Sequence, residues 1–373
     1  MLNSKREVKY SNFPAQYAEE RDEIHAIVDR VFERGVFVSL ALLDGFEEAV
    51  ADYCGVSDAI GVASGTDALY LAMKAMDIGP GDEVITPPNS HFSSTSAIIQ
   101  TGATPAFADV MDDQNIDPAA IEAAITPRTK AIMPVHLTGR IADMNAILEI
   151  ASRHGLRIIE DAAQSMGSRY HGEMSGSFGD AAAFSAHPLK NLNAAGDAGF
   201  ITTNDEAIAR RLRKLRHNGL EGRDTVIEWG SVSRLDVLQA EILRMRLAKL
   251  DAVVARRRSN AALYRESLAA SSSVFAPPCK PHEFNSFHIF VIQVDRREEL
   301  IKFLVSGGVQ TAIHYPIPIH LQPAAEDLGY KKGRLPVSED QADRILSLPI
   351  NQYVDPSDIQ YTAGLINEFF GER

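Results

Sequence analysis

The stretch AIGVASGTDALYLAMKAMDIGPGDEVITPP, residues 59–88, opens a pattern that continues to about residue 204. A short apolar run, AIGVAS, is followed by an amphipathic segment, DALYLAMKAM, and then by a second apolar run, DEVITPP. Short apolar runs bounded by turn residues are typical of buried strands, and longer amphipathic segments are typical of helices. The stretch therefore predicts a strand, a helix and a second strand.

The same alternation repeats along the next part of the chain. Further strands are predicted at TPAFADV, KAIMPVH, LRIIEDA, DAAAFSA and GFITTN, and further helices at SSTSAIIQT, PAAIEAAI and MNAILEIASRHG. Strands that alternate with helices form a parallel sheet with helices packed on its faces. We therefore expect an α/β fold with a mostly parallel central sheet.

The pattern changes after this region. RLDVLQAEILRMRLAKLDAVVARRRSNAALYRESLAA is long, proline-free and amphipathic, which predicts a long helix between two domains. A strand at FHIFVIQV, a helix at REELIKFLVSG, a strand at QTAIHYP and helices near SEDQADRILS and DPSDIQYTAGLINEFF follow it. We expect a large domain with an N-terminal helical segment over residues 1–251 and a smaller α+β domain over residues 252–373.

Composition excludes several classes of function. The formal net charge of -13 disfavours binding to nucleic acid or to anionic membranes, because both require a basic surface. Only two cysteines occur, Cys54 and Cys279, which are too few for a disulfide framework or a zinc site. No apolar run reaches the length of a membrane span, and the N-terminus lacks the apolar core of a signal peptide. We expect a cytoplasmic protein without a metal site.

The segment VASGTDALYLAM contains a possible phosphate site. Gly65 and Thr66 stand just before the predicted helix, whose first amides and positive dipole end would favour an anion. The same Ser-Gly-Thr sequence is also a good ordinary helix cap.

A second candidate lies at RIIEDAAQS, where an apolar strand ends in Glu160 and Asp161, with Gln164 three residues after Asp161. Ligands of parallel α/β sheets bind at the carboxyl ends of strands, and a buried carboxylate there needs a cationic partner or a metal. A protonated pyridine nitrogen would be a suitable partner. The alternative is a helix cap or a surface acid.

The third candidate is FSAHPLKNLNAAGDAGF, residues 184–200, with Ser185 and Lys190 at the end of a predicted strand. A lysine shielded by small neighbours loses its proton easily, as an imine-forming amine must, although most loop lysines are simply solvated. The sequence motifs of nicotinamide-binding, triphosphate-binding, zinc-protease and serine-hydrolase sites are missing from the sequence. A phosphate seat, an acid and a lysine together fit pyridoxal phosphate.

The motifs EDAAQS, GSFGDAAAFSAHPLKNLNAAGDAGFITTND, SRLDVLQAEIL and AIHYPIPIHLQPA make the sequence similar to one family over nearly its whole length. It resembles the DegT/DnrJ/EryC1/StrS sugar aminotransferases, which are fold-type I enzymes dependent on pyridoxal 5'-phosphate. The resemblance implies a homodimer with its active site at the subunit interface. It also implies glutamate as the amino donor and a keto sugar, usually nucleotide-linked, as the acceptor.

The resemblance further implies a role for each candidate residue. Lys190 would form the Schiff base with the cofactor and move protons, and Asp161 would pair with the pyridinium nitrogen. Gln164 would contact the ring or its 3-hydroxyl, whereas Gly65, Thr66 and Ser185 would hold the phosphate. His91 stands where the family places an aromatic residue over the ring. His314, Tyr315 and His320 would lie near the substrate, with packing roles as the alternative.

Three positions depart from the family pattern. The first is His91. At the second, Val232 stands where the family has an asparagine that reaches the cofactor phosphate of the neighbouring subunit, and at the third, Ala198 stands where the family has a glycine. A separate feature, the basic run Arg256, Arg257 and Arg258, is most simply interpreted as a solvated helix face, with pyrophosphate binding as the alternative.

The form of the lysine loop and of the SRLD segment favours members of the family that aminate C3 of the sugar over those that act at C4. Two other functions on the same fold are alternatives. A sugar dehydratase of this kind would carry histidine in place of Lys190, and a noncatalytic regulator would have lost part of the cofactor set. The sequence retains Lys190, Asp161 and Gln164.

Overall fold

The computed structural model describes residues 6–372, so the outermost residues of both predicted domains, 1–5 and 373, lie outside the described residues. The α-helices in this range are α1 (Phe13–Arg34), α2 (Asp44–Cys54), α3 (Gly65–Ala75), α4 (Phe92–Gln100), α5 (Pro118–Ala124), α6 (Met144–His154), α7 (Glu206–Leu215), α8 (Val237–Leu247), α9 (Leu250–Ser267), α10 (Arg297–Ser306), α11 (Pro336–Arg344) and α12 (Pro356–Phe370).

The strands follow the same chain order. They are β1 (Asp58–Val62), β2 (Glu83–Thr86), β3 (Thr104–Phe107), β4 (Thr129–Ile132), β5 (Arg157–Asp161), β6 (Arg169–Tyr170), β7 (Glu173–Met174), β8 (Ala181–Ser185), β9 (Gly199–Thr203), β10 (Leu220–Glu221), β11 (Thr225–Val226), β12 (Val274–Phe275), β13 (Glu283–Phe284), β14 (Phe290–Val294) and β15 (Ile345–Leu348).

The central sheet has seven strands in the order β1-β9-β8-β5-β4-β2-β3. Strand β9 runs antiparallel to both of its neighbours, and the pairs β8-β5, β5-β4, β4-β2 and β2-β3 are parallel. The prediction of a mostly parallel α/β sheet is therefore confirmed. The parallel strands bring their carboxyl ends to one edge, where the candidate site lies.

Strand β8 shows why the sheet is buried on both faces. Ala181 and Ala183 pack into an apolar cluster with α3 and α7, whereas Ala182 and Phe184 pack into a second cluster with α2 and α8. Successive side chains of a strand point to opposite faces, so an almost continuous apolar strand requires helices on both sides. This is the layered arrangement that the alternating sequence predicts.

The C-terminal part of the chain forms a second, smaller sheet of antiparallel strands in the order β12-β14-β15. Helices α9, α10 and α12 cover it and share its apolar cluster. Val8 belongs to the same cluster and pairs with Val309, so the segment around Val8 packs against the C-terminal sheet. The predicted boundary between residues 251 and 252 falls inside α9.

Three predicted elements are wrong in detail. The long linking helix is divided at Ala248 and Lys249, because α8 packs against α1 and α2 whereas α9 packs against α12. The predicted strand at QTAIHYP is reduced to one bridge between Ala312 and Ser347. The segment Ile345–Leu348 is a strand, not the end of a helix, because its buried backbone pairs with β14.

Candidate active site

A cavity of about 420 Å³ lies at the carboxyl ends of the central strands. The starts of α3 and α4, the ends of β5 and β8 and the loop after β8 contribute to its wall. The predicted site residues that line it are Gly65, Thr66, His91, Asp161, Gln164, Ser185, Lys190, His314 and Tyr315. The fold thus collects into one cavity residues that are far apart in the sequence.

The turn before α3 forms a tight seat beside Ser185. A Cβ atom added to Gly65 would lie 2.7 Å from the Cβ atom of Ser185, which is closer than real carbon atoms approach. Ser64 caps the helix by accepting a hydrogen bond of 3.1 Å from the amide of Asp67. The amides before it have no acceptor within the helix, so the seat presents donors to an anion.

Ser233 holds this turn in place. Its hydroxyl donates to Oδ2 of Asp67 at 2.6 Å and accepts from the amide of Ala63 at 3.3 Å. On the other side, Gly199 approaches so closely that a Cβ atom would lie 2.4 Å from the carbonyl carbon of Ser64. These contacts fix the start of α3 relative to the start of β9 and to the segment that precedes α8.

The two acids at the end of β5 have different environments. Oδ2 of Asp161 accepts a hydrogen bond of 2.7 Å from the hydroxyl of Ser94, and Oδ1 accepts from the amide of Ala163 at 3.2 Å. Glu160 is fully buried on the opposite face, where it pairs with His136. Glu160 also accepts from the amides of Gly176, Phe178 and Gly179. Only Asp161 lines the cavity.

Lys190 follows a tight turn in which its amide donates to the carbonyl oxygen of His187 at 2.8 Å. Its side chain is partly accessible from the cavity and is otherwise enclosed by protein atoms. Desolvation lowers the pKa of this amine from 10.5 to about 8, and the charge of Asp161 opposes the shift only in part. Lys190 is therefore a deprotonatable amine in a cavity, not a solvated loop lysine.

Gln164 and Tyr315 form one wall. Oε1 of Gln164 accepts from the amide of Thr138 at 2.8 Å, and Nε2 donates to the Tyr315 hydroxyl at 3.4 Å. The ring of His91 meets the ring of Tyr315 edge-on at 5.6 Å. Desolvation and the nearby Lys190 lower the pKa of His91, which favours a neutral imidazole at this position.

The two histidines of the HYPIPIH loop have different environments in the structure. His314 lines the cavity, bonds through Nδ1 to the hydroxyl of Ser347 at 2.9 Å, and has its pKa lowered by burial to about 4. His320 lies outside the cavity lining, with its buried side chain bonded to Glu339 at 3.0 Å. The turn Ile319–Leu321 directs this segment into a small apolar cluster, so the structure does not bring His320 into the cavity with the other predicted site residues.

Of the other two positions that depart from the family pattern, one lines the cavity and one does not. Ala198 is buried and lines the cavity, and its carbonyl oxygen accepts from the amide of Ala186 at 2.8 Å. Val232 is 61% exposed, lies outside the cavity lining and pairs with His217. A side chain at position 232 therefore faces away from the cavity of its own chain.

Some cavity residues were not predicted. Tyr10, His288 and Asn351 reach the cavity from distant parts of the chain, and Ser94 orients Asp161 from α4. No local sequence signal marks these residues, because their positions depend on how the C-terminal part packs against the central sheet. The interpretation of Arg257 as part of a solvated helix face is wrong, because this residue is only 6% exposed and lines the cavity.

Within residues 6–372, no group of histidine, cysteine, aspartate and glutamate side chains could hold a metal ion. In the same range, every helix is too short or too polar to cross a membrane.

The sequence comparisons agree with this geometry. Residues 18–367 match the DegT/DnrJ/EryC1/StrS aminotransferase family. The chain is 43% identical over 349 residues to the dTDP-3-amino-3,4,6-trideoxy-alpha-D-glucose transaminase of Streptomyces venezuelae, covering 93% of this chain and 92% of that protein. It is 43% identical to the UDP-N-acetyl-3-dehydro-alpha-D-glucosamine 3-aminotransferase of Acidithiobacillus ferrooxidans, covering 90% of each protein.

A solved structure is similar over the same extent. The crystal structure of S. venezuelae DesV in complex with a ketimine intermediate aligns with a TM-score of 0.95 and 42% identity. The alignment covers 97% of this chain and 98% of that chain. The chain belongs to the DegT/DnrJ/EryC1/StrS aminotransferase family, and it is a pyridoxal phosphate-dependent aminotransferase with the fold that its sequence resemblance implies.

The described residues fit this cofactor. The seat between Gly65 and Ser185 is too tight for a side chain and presents helix amides, as a phosphate group requires. Lys190 supplies an amine and Asp161 a carboxylate in the same cavity. A phosphate seat, an amine and an acid are the groups that pyridoxal phosphate needs.

Proposed function

We propose that this chain transfers an amino group from glutamate to C3 of a nucleotide-linked keto sugar. The observation that carries the proposal is the meeting of Lys190, Asp161 and the Gly65 seat in one cavity. The two relatives described above support the choice of carbon, because both of their names specify chemistry at C3. They carry different nucleotides, dTDP and UDP, so the choice of nucleotide stays open.

Each residue has a role in this proposal. Gly65, Thr66 and Ser185 hold the cofactor phosphate, and Asp161 holds the protonated ring nitrogen. Gln164 and His91 position the ring. When bound, pyridoxal phosphate supplies a carbon to which amines add and a ring that draws electrons from a neighbouring C–H bond.

Lys190 carries the proton transfers. Because the pKa of this amine is about 8, roughly a quarter of it is neutral at pH 7.5. For a lysine with the unperturbed pKa of 10.5, the neutral fraction at this pH is about one part in a thousand. A neutral Nζ atom can accept a proton from the donor's α-carbon in the first half-reaction. The resulting ammonium group would give this proton to the cofactor, and in the second half-reaction Lys190 would carry a proton from the cofactor to the former carbonyl carbon of the sugar.

His314 and Tyr315 are proposed to contact the substrate. Burial keeps the pKa of His314 near 4, so a neutral ring that donates or accepts one hydrogen bond faces the cavity at neutral pH. Burial also raises the pKa of Tyr315, which keeps its hydroxyl protonated. Neutral polar groups of this kind suit the hydroxyls of a sugar.

We also propose a homodimer with the cavity at the subunit interface. Phe92 and Leu189, next to His91 and Lys190, are 62% and 44% exposed. Large apolar side chains exposed beside a site are typical of protein interfaces. Sedimentation equilibrium is expected to give twice the mass of the chain, 2 × 40.7 kDa, and a monomer at micromolar concentration would contradict this part of the proposal.

The reaction can be tested in two stages. Protein mixed with pyridoxal phosphate should show a visible absorption band, and borohydride followed by peptide mass spectrometry should label Lys190. Glutamate should then bleach the band, and a panel of dTDP-, UDP- and GDP-linked 3-keto and 4-keto sugars should identify the acceptor by the mass of its amino product. An unlabelled Lys190, or turnover of 4-keto sugars alone, would overturn the mechanism or the carbon assigned.

A further inference from the structure

Arg257 is a buried cation whose partners are all neutral. Nη1 donates to the carbonyl oxygens of Phe287 and His288 at 3.2 and 3.0 Å, and Nη2 donates to Oε1 of Gln352 at 3.3 Å. The Nε atom is buried and has no acceptor among the described residues. Burial lowers the pKa of the guanidinium to about 10, so it still carries its charge at neutral pH.

Other buried arginines of the described chain do have carboxylate partners. Arg140 pairs with Glu283 at 2.6 Å, and Arg216 pairs with Glu47. A buried charge without a counter-ion is strongly unfavourable. Arg257 therefore differs from the other buried arginines, and an anion bound from outside the chain would neutralise its charge.

The position of Arg257 shows where this anion would bind. Arg257 lines the same cavity as Lys190, together with Tyr10 and His288. The Tyr10 hydroxyl and Nδ1 of His288 are buried and have no well-aligned hydrogen-bond partner in residues 6–372. Burial, and after it the charges of Lys190 and Arg257, hold the pKa of His288 well below its usual range, so both cations act on this part of the cavity.

We propose that Arg257 binds a carboxylate group of the amino donor, in a subsite that Tyr10 and His288 complete. This inference rests on the proposed transfer from glutamate. The carbon that carries the amine of an amino acid also carries its α-carboxylate, so an anion lies next to the atom that reacts at Lys190. Three of the N–H groups of the Arg257 guanidinium already donate to neutral oxygen atoms. The remaining N–H groups are enough for one carboxylate, whereas a diphosphate has more oxygen atoms that need donors.

Glutarate, a dicarboxylate without an amine, is a suitable probe. It is titrated into the protein loaded with pyridoxal phosphate, and binding is measured by calorimetry and by the change in the cofactor spectrum. Arg257→Gln should weaken glutarate binding by about 10- to 100-fold, as expected for a lost charge-assisted hydrogen bond. Arg256→Gln, a change at the exposed neighbouring position on the same helix, should leave the affinity unchanged.

A second variant distinguishes a loss of glutarate binding from a loss of folding. Arg257 connects α9 to the Phe287–His288 segment, so Arg257→Gln could destabilise the protein. Arg257→Lys keeps the charge and loses the planar fork, and should weaken glutarate binding about tenfold while the cofactor band and circular dichroism persist. Unchanged glutarate affinity in folded Arg257→Lys would overturn the inference.

UDP and dTDP titrations identify the anion. Their affinities should be the same in both Arg257 variants as in the unmodified protein, because the proposal places the diphosphate elsewhere. Weaker nucleotide binding with unchanged glutarate binding would assign Arg257 to the diphosphate and overturn the proposal. Bleaching by glutamate without any loss of glutarate affinity in the variants would refute this inference alone, since the proposed function would stand.

Discussion

The hydroxyl of Ser94 donates a hydrogen bond of 2.7 Å to Oδ2 of Asp161, although the two residues are 67 positions apart. Ser94 lies in the first turn of α4, which follows β2, and Asp161 ends β5. The bond fixes the orientation of the carboxylate that we assign to the cofactor ring. We therefore propose that Ser94 positions Asp161 for the cofactor.

Ser94→Ala should weaken pyridoxal phosphate binding about tenfold, because a hydrogen bond to a charged group contributes about 1.5–3 kcal/mol. The affinity is measured from the visible band of the protein during titration with the cofactor. Ser96→Ala is the matched control, since Ser96 lies on the same helix and its hydroxyl makes no hydrogen bond within residues 6–372. Equal affinities of the two variants would show that Ser94 does not position Asp161.

Gly65→Ala should abolish the phosphate seat. The added methyl group would lie 2.7 Å from the Ser185 side chain and 3.1 Å from its Cα atom, so the start of α3 would have to move. We expect a loss of about 1–3 kcal/mol in the free energy of unfolding and at least tenfold weaker cofactor binding.

Gly364→Ala provides the control for this substitution. Gly364 lies inside α12 with no atom within 4 Å of an added Cβ, so alanine should stabilise the protein by about 0.5–1 kcal/mol. Urea unfolding of the cofactor-free proteins measures both effects. If Gly65→Ala kept full cofactor affinity, the seat would not hold the phosphate.

Glu160→Gln and Asp161→Asn should have opposite consequences. Glu160 accepts from three backbone amides and pairs with buried His136, so the amide variant should lose about 3 kcal/mol of unfolding free energy. Asp161→Asn should keep the stability of the cofactor-free protein within about 1 kcal/mol and slow the glutamate half-reaction by at least about 100-fold.

Denaturant unfolding and single-turnover absorbance measure these two quantities separately. A large loss of stability in Asp161→Asn with a normal half-reaction would reverse the assignment of the two acids.

Lys190 should destabilise the cofactor-free protein below pH 8. The pKa of its amine is about 8 in the folded state and 10.5 when unperturbed, so the unfolded chain binds more protons between these values. Stability therefore rises with pH across this window, and below pH 8 the charged amine carries its full burial penalty. Lys190→Met should be more stable by up to about 3 kcal/mol at pH 7, with the difference shrinking by pH 10.

Urea unfolding of both cofactor-free proteins at pH 7 and pH 10 tests this sign. Lys332→Met, the same substitution at an exposed lysine, is the matched control. A constant difference between Lys190→Met and the unmodified protein over this range would contradict a shifted pKa.

The sequence by itself determined the strands and helices of the central sheet. Short apolar runs and amphipathic segments differ in period and length, and these properties depend on neighbouring residues only. The turn at Gly65 and the lysine loop at Lys190 could be found for the same reason, because glycine, small residues and an isolated lysine mark local backbone and charge requirements. The resemblance to a known family then supplied their roles.

Only the tertiary structure decided how distant segments meet. Local pattern could not distinguish Glu160 from Asp161, place His320 outside the cavity, or bring Arg257 from an apparently solvated helix face into its wall. These outcomes depend on which face of each element another element covers. Burial and hydrogen-bond partners, unlike helical period, are properties of the packed chain as a whole, and they determine which charged residues can act on a ligand.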